Sequence, residues 1–210
     1  MDTRFEQQLF AWGKPFIRDQ DLAVIYLGEE TRRYDAVKLA LKKGVLIGLR
    51  RGLYLIGPPY TKKQPDPFEI AGVIYGPSYI SLESALSYHS WIPEAVYTTT
   101  SVSAKRSKTF ETPLGVFRYS HVPSAPFFLN VERIESNGSI FIMAEPWKAI
   151  ADMIYCYKKN WSSIHDLSSD LRIELDDIKN SDLQSLSHIA KNYGSQTVRK
   201  ILLKLEKDIH

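Results

Sequence analysis

Between Thr31 and Ile56 the chain gathers seven cations, Arg32, Arg33, Lys38, Lys42, Lys43, Arg50 and Arg51, against one carboxylate, Asp35. Five of the seven fall within Thr31 to Lys43, where Val37, Ala40 and Leu41 mark one apolar face at helical spacing. Thr31 is the expected N-cap of this helix and Gly44 its expected stop. Ile47 to Ile56 then alternates like two strands about an Arg50-Arg51-Gly52 turn. A cationic helix followed by an arginine-tipped hairpin has the parts of a winged helix-turn-helix, one element for a groove and one for flanking backbone. The chemistry predicted is binding to double-stranded DNA. In such a module Thr31, Arg32, Arg33 and Tyr34 at the helix start meet base edges, and Arg32 or Arg33 can pair bidentately with guanine. Lys38 and Lys42 extend the basic face toward phosphates, and Arg50 and Arg51 hold phosphate or enter a minor groove. The bland alternative is a solvated basic helix beside an unrelated hairpin.

A second cationic stretch, Thr98 to Thr109, is rich in hydroxyls and carries Lys105, Arg106 and Lys108, with no acid until Glu111. It suits a phosphate group or an acidic surface on a protein or RNA, but it also reads as a polar strand running into a solvated loop. Groups for catalysis are sparse. The five histidines are scattered, and none stands at metal-ligand spacing with Cys156 or a carboxylate. Gly76-Pro77-Ser78 lacks the pattern of a phosphate-cradling loop and reads as a turn. Glu83 and Asp152 lie in helical segments with apolar neighbours, where a carboxylate satisfied by a nearby hydroxyl or lysine outweighs an acid–base role. No catalytic residue, metal site or cofactor is expected, and the protein is read as a non-enzyme.

The elements that must position these groups follow from patterning. Phe5, Leu9, Phe10 and Trp12 form the stripe of a first helix, and Asp19 to Leu27 reads as a second, with Leu22, Val24, Ile25 and Leu27 available for a core. Residues 1–56 carry ten Lys/Arg against seven Asp/Glu, whereas the rest of the 210-residue chain carries seventeen of each, so the net charge of +3 arises in this first segment. Four prolines and a lysine pair make 57–67 a stiff, extended linker. Beyond it, 68–75, 81–89 and 148–157 look helical, and 96–102, 115–122 and 140–144 look like strands. Two further apolar stripes between Ser181 and Leu205 close the chain with helices around Gly194. The predicted fold class is α+β: a winged helix-turn-helix over 1–56, the linker, and a mixed α+β domain over 68–210 with a helical C-terminus.

The single cysteine excludes an intrachain disulfide framework and fits a reducing compartment, and its neighbours Ile154, Tyr155 and Tyr157 predict a buried thiol. No apolar run approaches the ~20 residues that span a bilayer. Met1 to Glu6 does not read as a signal peptide. The expectation is a soluble, cytoplasmic protein with no membrane partner.

Several segments together resemble the AbiEi family, the antitoxin and transcriptional-regulator half of abortive-infection type IV toxin–antitoxin systems. They are Gly44 to Tyr54 in the hairpin, Gly76 to Leu86 after the linker, Ile92-Pro93-Glu94, Thr109 to Gly115, and Pro146 to Asp152. Their order and spacing over residues 40 to 205 make the match fairly specific. The resemblance implies a two-domain repressor whose winged helix binds inverted repeats in its own promoter. It also implies that the C-terminal domain counteracts a nucleotidyltransferase-type toxin. Inverted repeats would be met by two copies, as a preformed dimer or by self-association on DNA. Two rival readings stand beside this one: a stand-alone repressor without a toxin, and a winged-helix-targeted nuclease recruiting Glu83, Glu111 and Lys148.

Overall fold

No stretch of this chain can bury itself alone, so its short amphipathic elements gather around two cores. The computed structural model describes residues 3–61, 65–94, 96–122 and 125–209; Lys62, Lys63 and Gln64 of the expected linker, with Met1, Asp2 and His210, lie outside the described residues. The described residues form a mixed α+β protein of ten helices and two sheets with a helical C-terminus. They divide into one unit of Met1–Pro67 with Phe110–Gly115 and another of Phe68–Thr109 with Val116–His210.

The first unit runs α1 (Thr3–Trp12), β1 (Phe16–Arg18), α2 (Asp19–Tyr26), α3 (Glu30–Lys42), β2 (Leu46–Arg50) and β3 (Leu53–Ile56). Its sheet has the order β1-β3-β2 and both pairings are antiparallel. Phe5, Leu9, Ile17, Leu22, Val37, Ala40, Leu46 and Ile56 fill the core beneath the helices. The strand β1 has no counterpart in the sequence reading, because three residues are too few to show a period of two. Trp12 anchors its start, donating from Nε1 to Phe16 O at 2.8 Å.

Four local expectations are corrected here. The helix α3 opens at Glu30 with Glu29 in the capping position, so Thr31 is a first-turn residue and not the N-cap. Val24 on α2 and Leu27, its C-cap, are 73% and 77% exposed, since this eight-residue helix presents only Leu22 and Tyr26 fully to the core. Leu41 is exposed as well, leaving Val37 and Ala40 as the buried side of α3. The Pro-rich segment is not extended from its first residue. Gly57 is buried and donates to Val45 O at 2.8 Å, and Tyr60 packs against Phe10 with tilted rings whose centroids are 4.7 Å apart. Only glycine fits at 57, because a Cβ there would lie 2.4 Å from Gly44 O.

The second unit holds most of a six-stranded sheet of order β6-β7-β5-β4-β9-β8. These strands are β4 (Ser78–Ile80), β5 (Thr98–Ser103), β6 (Lys108–Thr112), β7 (Gly115–His121), β8 (Val131–Ser136) and β9 (Ser139–Ala144). β5, β7 and β9 coincide with expected strands. β4, β6 and β8 do not: β4 is very short and buried throughout, while β6 and β8 are polar strands at the sheet edges, where charge blunts intermolecular pairing. Ser78 therefore opens a strand, and the Gly76-Pro77 turn ends before it.

Alternation along β4 and β5 assigns the two faces. Ile80 pairs with Ser101 and Met143, and α4 (Pro67–Ile74) covers this face through Phe68 against Phe141 and, just past its end, Tyr75 against Tyr119. Tyr79 and Val102 point the other way, toward α5 (Leu82–Tyr88) and α6 (Pro146–Tyr157). Thr100 stitches α5 to β5, donating to Ser81 O at 2.9 Å while its own N–H donates to Ser84 Oγ at 2.8 Å. After α7 (Ile164–Leu171) and α8 (Leu175–Lys179), the pair α9 (Leu183–Asn192) and α10 (Gln196–Ile209) packs back on α6.

Candidate nucleic-acid interface

At 100° per residue, Val37 and Ala40 fix the buried side of α3, which turns Thr31, Lys38 and Lys42 to the opposite side and leaves Tyr34 at the edge of that face. All four are exposed, and Tyr34 is 68% accessible although it is aromatic. Asp35 shares this face. Arg32 stands at its flank, exposed, with Nη1 2.9 Å from Glu29 Oε2 in an i,i+3 pair that solvent screens.

Arg33 has a different position. It falls on the buried side of the helix, its side chain is only 23% exposed, and Nη2 lies 3.8 Å from Asp19 Oδ2. Asp19, the first residue of α2, also donates from its backbone N–H to Gly52 O at 3.0 Å, at the hairpin tip. Gly52 has φ +71, the left-handed geometry that closes the turn without a Cβ penalty. Tyr54 on β3 joins the cluster: its hydroxyl pKa is raised by burial first and by Asp19 second, with Arg33 opposing. Asp19 thus ties the hairpin tip to the early turns of α3. No local signal in the sequence marks Asp19 for this role, because its partners lie 14 and 33 positions away.

Arg50 and Arg51 are both exposed at the tip, and Arg50 Nη1 lies 3.4 Å from Arg51 O. The structure therefore brings the start of α3 and the two tip arginines around one small scaffold. It separates Arg33 from the exposed face that Thr31, Tyr34, Lys38 and Lys42 share.

Lys105, Arg106 and Lys108 are exposed in and beside the β5–β6 loop of the second unit. The loop is a tied turn. Lys105 N donates to Ser103 Oγ at 3.2 Å, His121 N donates to Ser107 Oγ at 2.9 Å, and Tyr75 OH donates to Arg106 O at 3.1 Å. Lys105 Nζ lies 5.4 Å from the centre of the Tyr75 ring. Three cations are thereby displayed on a fixed backbone.

The other candidate groups are distributed through the second unit. Asp152 is fully buried and satisfied: Lys148 Nζ and Tyr193 OH donate to Oδ1 at 2.8 Å each, and Tyr79 OH and Ser81 Oγ donate to Oδ2 at 3.0 and 2.7 Å. Such a network specifies packing and is closed to a substrate. Glu83 accepts from Tyr157 OH at 3.1 Å. Cys156 is half-buried, and burial, followed by the charge of Asp152, pushes its thiol pKa up to about 12. Among the described residues no group of three His, Cys, Asp or Glu is placed to hold a metal ion, and no helix is long and apolar enough to cross a membrane. In comparisons with known proteins, no family model and no curated relative matches the chain.

Proposed function

We propose that this protein is a DNA-binding transcriptional autorepressor and antitoxin, without catalysis of its own, whose first unit acts as a winged helix. The observation that carries the reading is the exposed Thr31, Tyr34, Lys38 and Lys42 face of α3, flanked by Arg32, with the Arg50-Arg51 hairpin tip tied to the same helix through Asp19. The order α1-β1-α2-α3-β2-β3 supports it, because a winged helix needs two consecutive helices, here α2 and α3, followed by a hairpin, here β2–β3. Thr31, Tyr34 and Arg32 read base edges, Lys38 and Lys42 hold the flanking phosphates, and the tip arginines grip the backbone or the minor groove. Arg33 contributes by holding α2, α3 and the hairpin in register.

The antitoxin half of the proposal rests on the resemblance to the AbiEi family, with a nucleotidyltransferase-type toxin as the partner to be counteracted. Lys105, Arg106 and Lys108 are the surface assigned to that task, since they present positive charge on a tied loop.

Binding of the purified protein to its own promoter fragment, against scrambled DNA of equal length across a salt series, tests the reading. The expected result is sequence-selective binding whose log affinity falls by about 0.9 per phosphate contact for each decade of salt. Weak, indiscriminate binding with a shallow slope would overturn it.

A further inference from the structure

The second unit contains a cleft of about 470 Å³ that none of the DNA-facing chemistry uses. It opens on the α5/α6 side of the sheet, between β5, β7 and α7. That volume lies within the range of small-molecule sites. Ile92, Val96, Met153 and Leu171 give it apolar walls.

Its charges decide what it can hold. Five charged residues line it: Glu83, Glu94, Arg118, Lys159 and Asp170. Lys159 and Asp170 satisfy one another at 2.6 Å, and Glu94 pairs with Arg172. Two charges of opposite sign are left, Glu83 on α5 and Arg118 on β7. Among the described residues neither has an ion-pair partner. They lie within electrostatic reach of a common group, the Tyr157 hydroxyl, which hydrogen-bonds Glu83 and also senses Arg118.

A carboxylate and a guanidinium that do not neutralise each other, set in an apolar wall, complement a ligand with both charges and an apolar body. Glu83 is half-buried and Arg118 is exposed; a ligand seated in the cleft shields both from water, so a neutral one leaves both ions unpaired and a singly charged one leaves one of them so. The guanidinium fork suits a carboxylate, and the Glu83 carboxylate suits an ammonium.

We propose that this cleft binds a small apolar zwitterion of the free amino-acid type, its ammonium on Glu83, its carboxylate on Arg118 and its side chain against Met153 and Ile92. The site itself does not depend on the DNA-binding reading, whereas its use as a small-molecule input to a repressor rests on that reading.

The test is calorimetric titration of the full chain with L-leucine and L-phenylalanine, alongside their N-acetyl and carboxamide derivatives. The expected result is saturable binding of a parent amino acid, weakened at least tenfold by either derivative, because each removes one of the two charges. Glu83→Gln and Arg118→Met should each weaken the parent at least tenfold while the far-UV circular dichroism is unchanged. The derivatives keep the test independent of how the variants fold. No saturable binding of either amino acid, or equal binding of parents and derivatives, would overturn the proposal.

Discussion

Lys148 and Asp152 form an ion pair one helical turn apart on α6, with Nζ 2.8 Å from Oδ1 and both side chains fully buried. Neither charge reaches water, so each relies on the other and on the surrounding groups. Tyr79 and Ser81 reach Asp152 from β4 and the residue after it, and Tyr193 reaches it from the end of α9. The rings of Tyr193 and Tyr79 lie 4.5 and 5.3 Å from Lys148 Nζ. One carboxylate thus joins sheet, central helix and C-terminal helix pair.

Removing one partner leaves a buried charge uncompensated, which costs about 3–5 kcal/mol. Lys148→Met is therefore expected to lower the thermal midpoint by roughly 6–20 °C, using about 2–4 °C per kcal/mol for a chain of this size. Tyr193→Phe removes one of four donors and should cost only about 1–2 kcal/mol. Urea and thermal unfolding measure both, and a Lys148→Met variant as stable as the parent would refute the role of the pair.

Arg32 and Arg33 are adjacent in sequence and should behave differently. Arg32→Ala is expected to reduce discrimination between operator and scrambled DNA, by about 1–3 kcal/mol if it reads a guanine. Arg33→Ala should leave discrimination and salt slope largely intact and lower the stability of the first unit by about 1 kcal/mol or less, its pair with Asp19 being partly solvated. Competition binding together with urea unfolding of both variants separates the two roles.

At the hairpin tip, Arg50→Ala with Arg51→Ala should weaken binding to every sequence alike. The slope of log affinity against log salt should become shallower by about 1.8, two phosphate contacts at ~0.9 each. A double variant with an unchanged slope would remove the tip from the interface.

Reversing Lys105, Arg106 and Lys108 to glutamate should abolish protection against the cognate toxin while promoter binding by the first unit persists. Growth rescue on co-expression, read beside a promoter-binding assay, is the measurement. Intact protection would make the loop a solvated surface.

Alkaline pH should destabilise the second unit. Burial, then Asp152, raises the folded-state pKa of Cys156 from 9.0 to about 12, so the folded state holds that proton more tightly than the unfolded chain. The associated stability is complete below pH 9 and is lost as pH rises toward 12. Tyr79 and Tyr193, raised by burial first and by Asp152 next, act in the same direction above pH 10. The urea midpoint is expected to fall from pH 9 upward. At pH 8 a thiol reagent should label Cys156 more than tenfold more slowly in the folded protein than in denaturant, since thiolate is the reactive form.

Sequence alone determined the features that local chemistry controls. Helix periodicity announced α1, α2, α3, α6 and the C-terminal pair, because each carries its own apolar period, and β-branched and aromatic runs announced β5, β7 and β9, because such side chains favour the extended backbone. The clustering of cations between Arg32 and Arg51 was equally legible, since charge is a property of composition. Tertiary structure decided what depends on distant partners. β1 and β4 are strands because neighbours complete their hydrogen bonds, although three residues carry no period. Arg33 faces a carboxylate on α2, and only the packing of α2 against α3 distinguishes it from Arg32. The four donors around Asp152 come from positions 79, 81, 148 and 193, and the cleft between Glu83 and Arg118 joins a helix to a strand 35 residues away. Periodicity fixes which face an element offers to a core, whereas the group that meets that face is fixed only when the chain closes on itself.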